Sequence, residues 1–210
     1  MKKRAQTTII LLLTVVLALI AFTYDSQIIK YIQTLHNIQL DYFFISIAFA
    51  SNVFIIFFFL TSLFLWQEHK RRWILPLWLS GFLSVALSYV LKISVKRLRP
   101  FQQEPIEIFT TVIYFMKDNF YTWNFSFPSF QSMFVFSSLP ILTKEFPKFK
   151  YVWLVFACLV AFSRVYFGAH YLSDVLSGAI LGYVIGLIIV SLEERYKTSL
   201  SVMKRLKVSK

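Results

Sequence analysis

The sequence predicts an all-α fold: a polytopic membrane protein built as a six-transmembrane-helix bundle. Two observations carry that expectation. Of 210 residues, 58% are hydrophobic and only 15% charged, against about 25% charged in soluble domains. Apolar stretches of nearly twenty residues recur along the chain, and a helix of about 20 residues spans a hydrocarbon core about 30 Å thick. Other classes are excluded by the same composition. With 24 Phe, 11 Tyr and 5 Trp beside 5 Gly and 6 Pro, the chain is neither disordered nor collagenous. Its single cysteine, Cys158, lies in an apolar run, so neither a disulfide framework nor a cysteine-based metal site is expected. The formal charge of +12 would suit nucleic acid. The basic residues interleave with hydrophobic stretches, however, so membrane topology accounts for them and no nucleic-acid partner is expected.

Six spans are expected: Thr7 to Tyr24, Tyr42 to Trp66, Trp73 to Lys92, Pro128 to Leu142, Tyr151 to Tyr166, and Leu172 to Leu192. The fourth is short and follows a long connection from Arg99 to Phe127, whose stretch Ile106 to Phe115 is apolar enough to dip into the interface as a lid or lipid entry wall. An N-terminal MKKR before an apolar run also resembles a signal peptide, but Phe22, Thr23, Tyr24 and Asp25 offer no small-residue cleavage site, so a retained first helix is expected. Ser26 to Leu40 carries Ile28, Ile29, Ile32, Leu35 and Ile38 at roughly helical spacing, the pattern of an amphipathic helix on the outer surface. Gly178, Gly182 and Gly186 form a GxxxGxxxG row that lets helices approach closely, within the monomer or in a dimer. No repeat or linker divides the chain, so residues 1–210 read as one domain, with a motif-bearing core over about 73–192 and a basic cytoplasmic tail over about 193–210.

Basic residues concentrate in cytoplasmic segments. With both termini inside, 15 of the 22 Lys and Arg fall on the inner face; Lys30, Lys92, Lys96, Arg97, Arg99, Lys117 and Arg164 fall toward the outer one. Charges at membrane depth are costly and by default mark function. The third span ends in KISVKRLRP, which reads either as an interfacial snorkelling cluster or as part of an anion site. Pro128 and Ser129 open the fourth helix, a common helix start that also places Ser129 where an N-cap and free N–H groups bind anions. His170 and Asp174 are four apart and share one helix face, where the carboxylate can hold a ring nitrogen and leave the other as a nucleophile. Arg164 precedes their turn, and its planar fork suits phosphate. As a lone pair, His170 and Asp174 would be a satisfied polar contact; beside Lys92, Arg99 and Arg164 they read as an anion-processing site. No ligand cluster suits zinc and no glycine-rich nucleotide loop is present, so no metal and no cofactor are expected.

These residues resemble the type 2 phosphatidic-acid phosphatase superfamily, a family of membrane lipid phosphatases with the motifs K-x6-RP, PSGH and SR-x5-H-x3-D. Lys92, Arg99 and Pro100 match the first in full, and Ser163, Arg164, His170 and Asp174 match the third. The resemblance implies that Lys92, Arg99, Ser129 and Arg164 bind phosphate, that His170 attacks phosphorus to form a phosphohistidine, and that Asp174 orients it. It further implies six helices, an extracytoplasmic site in a plasma (inner) membrane, and a lipid phosphate or diphosphate substrate, with undecaprenyl diphosphate within that class. The second motif departs: Pro128, Ser129, Phe130 and Gln131 stand where the family has PSGH. The family's general-acid histidine is thereby replaced by Gln131, whose amide donates a hydrogen bond but cannot deliver a proton. Of the two other histidines, His69 falls on the inner face and His36 on an outer segment with no motif linking it to the site, so a displaced His36 acid is not the favoured reading. A diphosphate lipid, whose leaving phosphate needs little protonation, is the expected preference. The alternative is a catalytically weakened lipid-phosphate-binding or phosphotransfer protein. The sequence sets no oligomeric state.

Overall fold

The computed structural model describes residues 2–103, 125–197 and 199. The long connection's apolar stretch Ile106 to Phe115 and most of the basic tail lie outside the described residues.

The first helix, α1, runs from Lys2–Gln33. No Gly or Pro interrupts these residues, so the helix continues past Tyr24 and absorbs much of the segment expected to lie apart as an amphipathic surface helix. Ile29 and Ile32 pack instead against Phe44, Val165 and Tyr166. Asn37 then caps α2 (Ile38–Ala50), its Oδ1 accepting from Leu40 N at 3.0 Å. Asn52 caps α3 (Val53–Trp66) through Phe54 N at 2.9 Å. The expected second span is thus two helices bent by 61°, because Asn52 starts a new helix where one continuous span would need its side chain turned outward.

A 3₁₀ turn, Glu68–Trp73, leads into α4 (Ile74–Val95), which ends with Lys96 at φ 52°. A short helix, α5 (Pro100–Gln103), follows. Then come α6 (Phe130–Glu145), α7 (Lys150–Tyr166) and α8 (Leu172–Tyr196). Helix α6 is the hub, packed by α4, α7 and α8, with 11 of its 16 residues buried. Its tightest neighbour is α8. A methyl group on Gly178, Gly182 or Gly186 would overlap the carbonyl oxygens of Ser129, Met133 and Ser137 respectively, so the glycine row serves packing within the chain.

Among the described residues, four segments are long and apolar enough to cross a membrane: Ala5–Gln33, Glu68–Val95, Pro147–Tyr166 and Leu172–Tyr196; the bent α2–α3 pair makes a fifth if it counts as one span. Helix α6, at 16 residues, is about 24 Å long, shorter than a hydrocarbon core about 30 Å thick. Ile9, Leu12, Leu13 and Leu19 of α1 are exposed, as a lipid-facing helix requires. The chain is an all-helical integral membrane protein.

Candidate active site

Three stretches of chain meet at one end of the bundle. After α4, residues Arg97 to Arg99 run beside the entry to α6, joined by an antiparallel bridge between Leu98 and Phe125 and by Ser126 N donating to Arg97 O at 2.7 Å. Lys92, on the last turn of α4, reaches the same stretch and donates to Phe125 O at 2.6 Å. Ser129 then caps α6, and its N–H donates to Asp174 O at 3.1 Å, tying the start of α6 to the first turn of α8. Its side chain makes no capping bond; the Oγ accepts from Ser132 Oγ at 3.1 Å.

The turn between α7 and α8 carries the imidazole. Gly168 takes φ 62°, open to glycine at no cost, and lets Ala169 and His170 donate back to Arg164 O at 3.0 and 3.2 Å. His170 is 1% exposed. Its Nδ1 lies 2.7 Å from Ser126 O and its Nε2 lies 3.2 Å from Arg99 Nη1. A carbonyl only accepts and a guanidinium only donates, so the proton sits on Nδ1 and the lone pair on Nε2. Burial first, then the charges of Arg99, Lys92 and Arg164, push His170 well below the usual imidazole range. The ring is therefore neutral at pH 7, the form in which Nε2 can attack an electrophile.

The carboxylate expected to hold that ring stands one residue removed. Asp174 Oδ2 is 4.0 Å from His170 Nδ1, beyond hydrogen-bond range. It accepts instead from Tyr171 N at 2.9 Å, capping α8, and from the Ser126 hydroxyl, while Oδ1 accepts from Arg97 at 2.7 Å. Ser126 thus joins the two groups, its hydroxyl on Asp174 and its carbonyl on His170.

Arg99 is 7% exposed, Lys92 5% and Arg164 4%. Arg164 donates to the Ser51 hydroxyl at the α2–α3 bend and to Ala48 O at 3.3 Å, while its buried Nε has no partner among the described residues. Neither Lys92 nor Arg164 pairs with a carboxylate among the described residues; Asp174 pairs with Arg97. Lys92 and Arg164, buried beside a neutral imidazole with no carboxylate partner among the described residues, make a pocket that favours an anion. Gln131 lies half-buried in the first turn of α6.

His36 does not supply the missing acid. Its Nδ1 is 2.8 Å from Asp41 Oδ1 and its Nε2 3.0 Å from Tyr166 O, so both nitrogens brace the α1–α2 turn against α7. Sequence reasoning placed Arg97 in the basic cluster that ends the third span and missed Ser126, Asp25 and Ser51 as parts of this region. Asp25, the first acidic residue in the chain and placed at the end of an apolar run, carried a usable signal, since intramembrane charge demands a partner. Ser51 and Ser126 carried none, because the long-range contacts alone distinguish them.

Comparison with known proteins bears on the same residues. Residues 73–197 match the PAP2 superfamily. The undecaprenyl-diphosphatase of Sulfolobus acidocaldarius is 29% identical over 134 residues, covering 63% of this chain and 61% of that protein. Phosphatidylglycerophosphatase B of Bacillus subtilis is 35% identical over 85 residues, covering 35% of this chain and 42% of its own length. The chain therefore spans less than two thirds of either curated relative. Among solved structures, a transmembrane PAP2-type phosphatidylglycerolphosphate phosphatase from Bacillus subtilis superposes with a TM-score of 0.68 at 22% identity, covering 88% of this chain and 94% of that one. Aquifex aeolicus LpxE superposes with a TM-score of 0.62 at 25% identity, covering 80% and 94%. The matched segment holds all three stretches that build the pocket, and on that match the chain belongs to the PAP2 superfamily.

Proposed function

We propose that the protein is a membrane lipid phosphatase that prefers a diphosphate lipid, such as a polyprenyl diphosphate carrier, and works through a phosphohistidine on His170. The observation that carries this reading is the pair of His170 contacts, Nδ1 2.7 Å from the Ser126 carbonyl and Nε2 3.2 Å from Arg99 Nη1, which assign the proton to Nδ1 and the lone pair to Nε2. When a phosphoryl group enters, Arg99 turns its N–H from Nε2 to a phosphate oxygen, and the freed lone pair attacks phosphorus in line with the leaving oxygen. Lys92, Arg164 and the Ser129 helix start neutralise the equatorial oxygens. The charge compensation that divalent ions give in other phosphoryl transfers falls here to these cations, so the reaction needs no metal. Imidazolium character developing on the ring is stabilised through the Ser126 carbonyl.

Substrate preference follows from Gln131. An alkoxide leaving a phosphomonoester is nearly as basic as hydroxide, whose parent water has a pKa of about 15.7, and needs the proton an amide cannot give. A leaving phosphate, with a second pKa of about 6, departs unaided. An apolar cavity of about 340 Å³ supports a lipid tail: Ile56, Leu60, Val135, Leu139, Trp153 and Phe156 line it, and Ala50, also in its wall, directly precedes the Ser51 that holds Arg164. We place six crossings in the plasma membrane, α6 and the bent α2–α3 pair included, with the termini cytoplasmic and the pocket at the outer face, in accord with the excess of Lys and Arg at the opposite end.

The missing acid favours one second reading, a weakened enzyme that binds lipid phosphate or passes phosphoryl to an acceptor other than water. Phosphate release from a panel of lipid mono- and diphosphates, with trapping of the phosphoenzyme, tests both. Release from diphosphates, with a phosphohistidine absent in His170→Ala, is the expected result. Tight lipid binding without release or phosphoenzyme would overturn catalysis, and a phosphoenzyme discharged only by an added alcohol acceptor would indicate transfer.

A further inference from the structure

Helix α1 lies outside the matched family segment, yet it sends one carboxylate to the edge of the site. Asp25 is 3% exposed. Its Oδ1 accepts from Ser173 N at 3.1 Å, and its Oδ2 accepts from the Ser173 hydroxyl and from Arg97 Nη2 at 2.7 Å. The other arm of the same guanidinium, Nη1, donates to Asp174 Oδ1 and to Ser173 Oγ, both at 2.7 Å. The planar group lies between two rings, 4.6 Å from that of Phe22 and 4.1 Å from that of Tyr171. Only a planar fork bridges two carboxylates in this way; an ammonium offers no second rigid arm.

The contacts form one continuous path. Asp25 holds Arg97, Arg97 holds Asp174, Asp174 accepts from the Ser126 hydroxyl, and the Ser126 carbonyl accepts the His170 Nδ1–H. We propose that Asp25 and Arg97 are positioning residues for the reaction at His170, with α1 fixing the imidazole tautomer through Asp174 and Ser126. The inference rests on the reading of His170 as the nucleophile and extends the site to Asp25, outside the matched segment, and to Arg97, a variable position of the first motif. Physical need argues for it. The Asp174 carboxylate does not reach the ring, so its influence passes through Ser126, and a carboxylate free to rotate would release that serine. A carboxylate buried at membrane depth is costly unless it is paired. Here the pairing runs toward the nucleophile rather than into a surface cluster.

The test uses full-length protein in detergent or proteoliposomes, with the variants Asp25→Asn, Asp25→Glu and Arg97→Lys. On a diphosphate lipid, kcat is expected to fall by about tenfold to a hundredfold in Asp25→Asn and Arg97→Lys, with KM within about twofold because neither residue touches phosphate. Asp25→Glu, which keeps the ion pair, is expected to recover most of the lost kcat. A purely structural role would reduce folded yield and leave kcat per folded molecule unchanged. Nitrogen-15 NMR of histidine-labelled protein reads the positioning without catalysis: wild type gives one Nδ1–H tautomer at His170, and the two disruptive variants give a mixture or a fast-exchanging proton. Unchanged kcat together with an unchanged His170 spectrum in both would overturn the inference, as would a rise in KM at constant kcat. An inactive wild type whose His170 signal still responds to Asp25→Asn would overturn the phosphatase reading and leave the positioning path standing.

Discussion

Removing the charge of Arg99 is expected to move the acid limb of the kcat/KM profile toward neutral pH. Burial, Arg99, Lys92 and Arg164 together hold the His170 imidazole well below its usual range, and Arg99 Nη1 stands 3.2 Å from Nε2. A unit charge at that separation is worth roughly 1.3 kcal/mol at the dielectric constant of water and about 5 kcal/mol at an effective constant near 20. Because Lys92 and Arg164 remain beside the ring, the limb is expected to move only part of the way back toward the usual imidazole range. Its sign follows from the chemistry. Protonated imidazole cannot attack phosphorus, so kcat/KM falls on the acid side as free-enzyme His170 takes up a proton. Taking away a neighbouring positive charge makes that proton easier to accept, and the limb rises. Arg99→Gln removes the charge and Arg99→Lys keeps it, so the first variant should shift the limb while the second leaves it in place and loses mainly phosphate affinity. The assay is phosphate release from a diphosphate lipid in mixed micelles across the pH range, at substrate well below KM. An unmoved or more acidic limb in Arg99→Gln, or an equal shift in both variants, would refute the electrostatic account.

Restoring a proton donor with Gln131→His should raise monophosphate hydrolysis by up to about 10²–10⁴-fold and diphosphate hydrolysis far less; an unchanged ratio of the two rates would remove the leaving-group argument. Gly182→Ala places a methyl on the Met133 carbonyl and should destabilise the folded protein by about 1–3 kcal/mol, read as a lowered thermal midpoint in detergent. Narrowing the apolar cavity with Ser138→Phe, at a position lining it, should raise KM for long-tailed lipids about tenfold, the value of about two buried methylenes. A short-chain analogue should be hydrolysed as before, and equal loss on both would separate the cavity from tail binding.

Much of the site was legible in the sequence because charged residues in an apolar chain have few innocent explanations. Lys92, Arg99, Arg164 and His170 stood out on that ground, and all four converge at one end of the bundle within electrostatic reach of the imidazole. The glycine row was legible as a close packing surface, and its partner, α6, is the helix with the largest buried share. The His170–Asp174 spacing gave the correct face but an incorrect bond: i,i+4 geometry brings the side chains to 4.0 Å, and Ser126, two residues before the second motif, completes the contact. Such a bridge depends on the path of a chain 44 residues away, which no local pattern encodes. The α2–α3 bend was hidden for a different reason. Hydropathy reports that Tyr42 to Trp66 is apolar and is blind to Asn52 forming a cap in its middle. The segment after Tyr24 failed as a separate surface helix because periodicity describes a face and leaves open whether that face meets lipid headgroups or other helices.

The glycine contacts between α6 and α8 make the site a product of register. Three meshing points one turn apart admit only discrete alignments, each step of four residues sliding the helices by about 6 Å. Ser129 N meets Asp174 O in the alignment seen, and a slip of one tooth would carry Ser129 away from the His170 turn by twice a hydrogen bond's length. The pocket is therefore indexed like a ratchet from deep within the bundle, and drift of its two halves along the helix axes is blocked before any loop at the membrane surface has to restrain it.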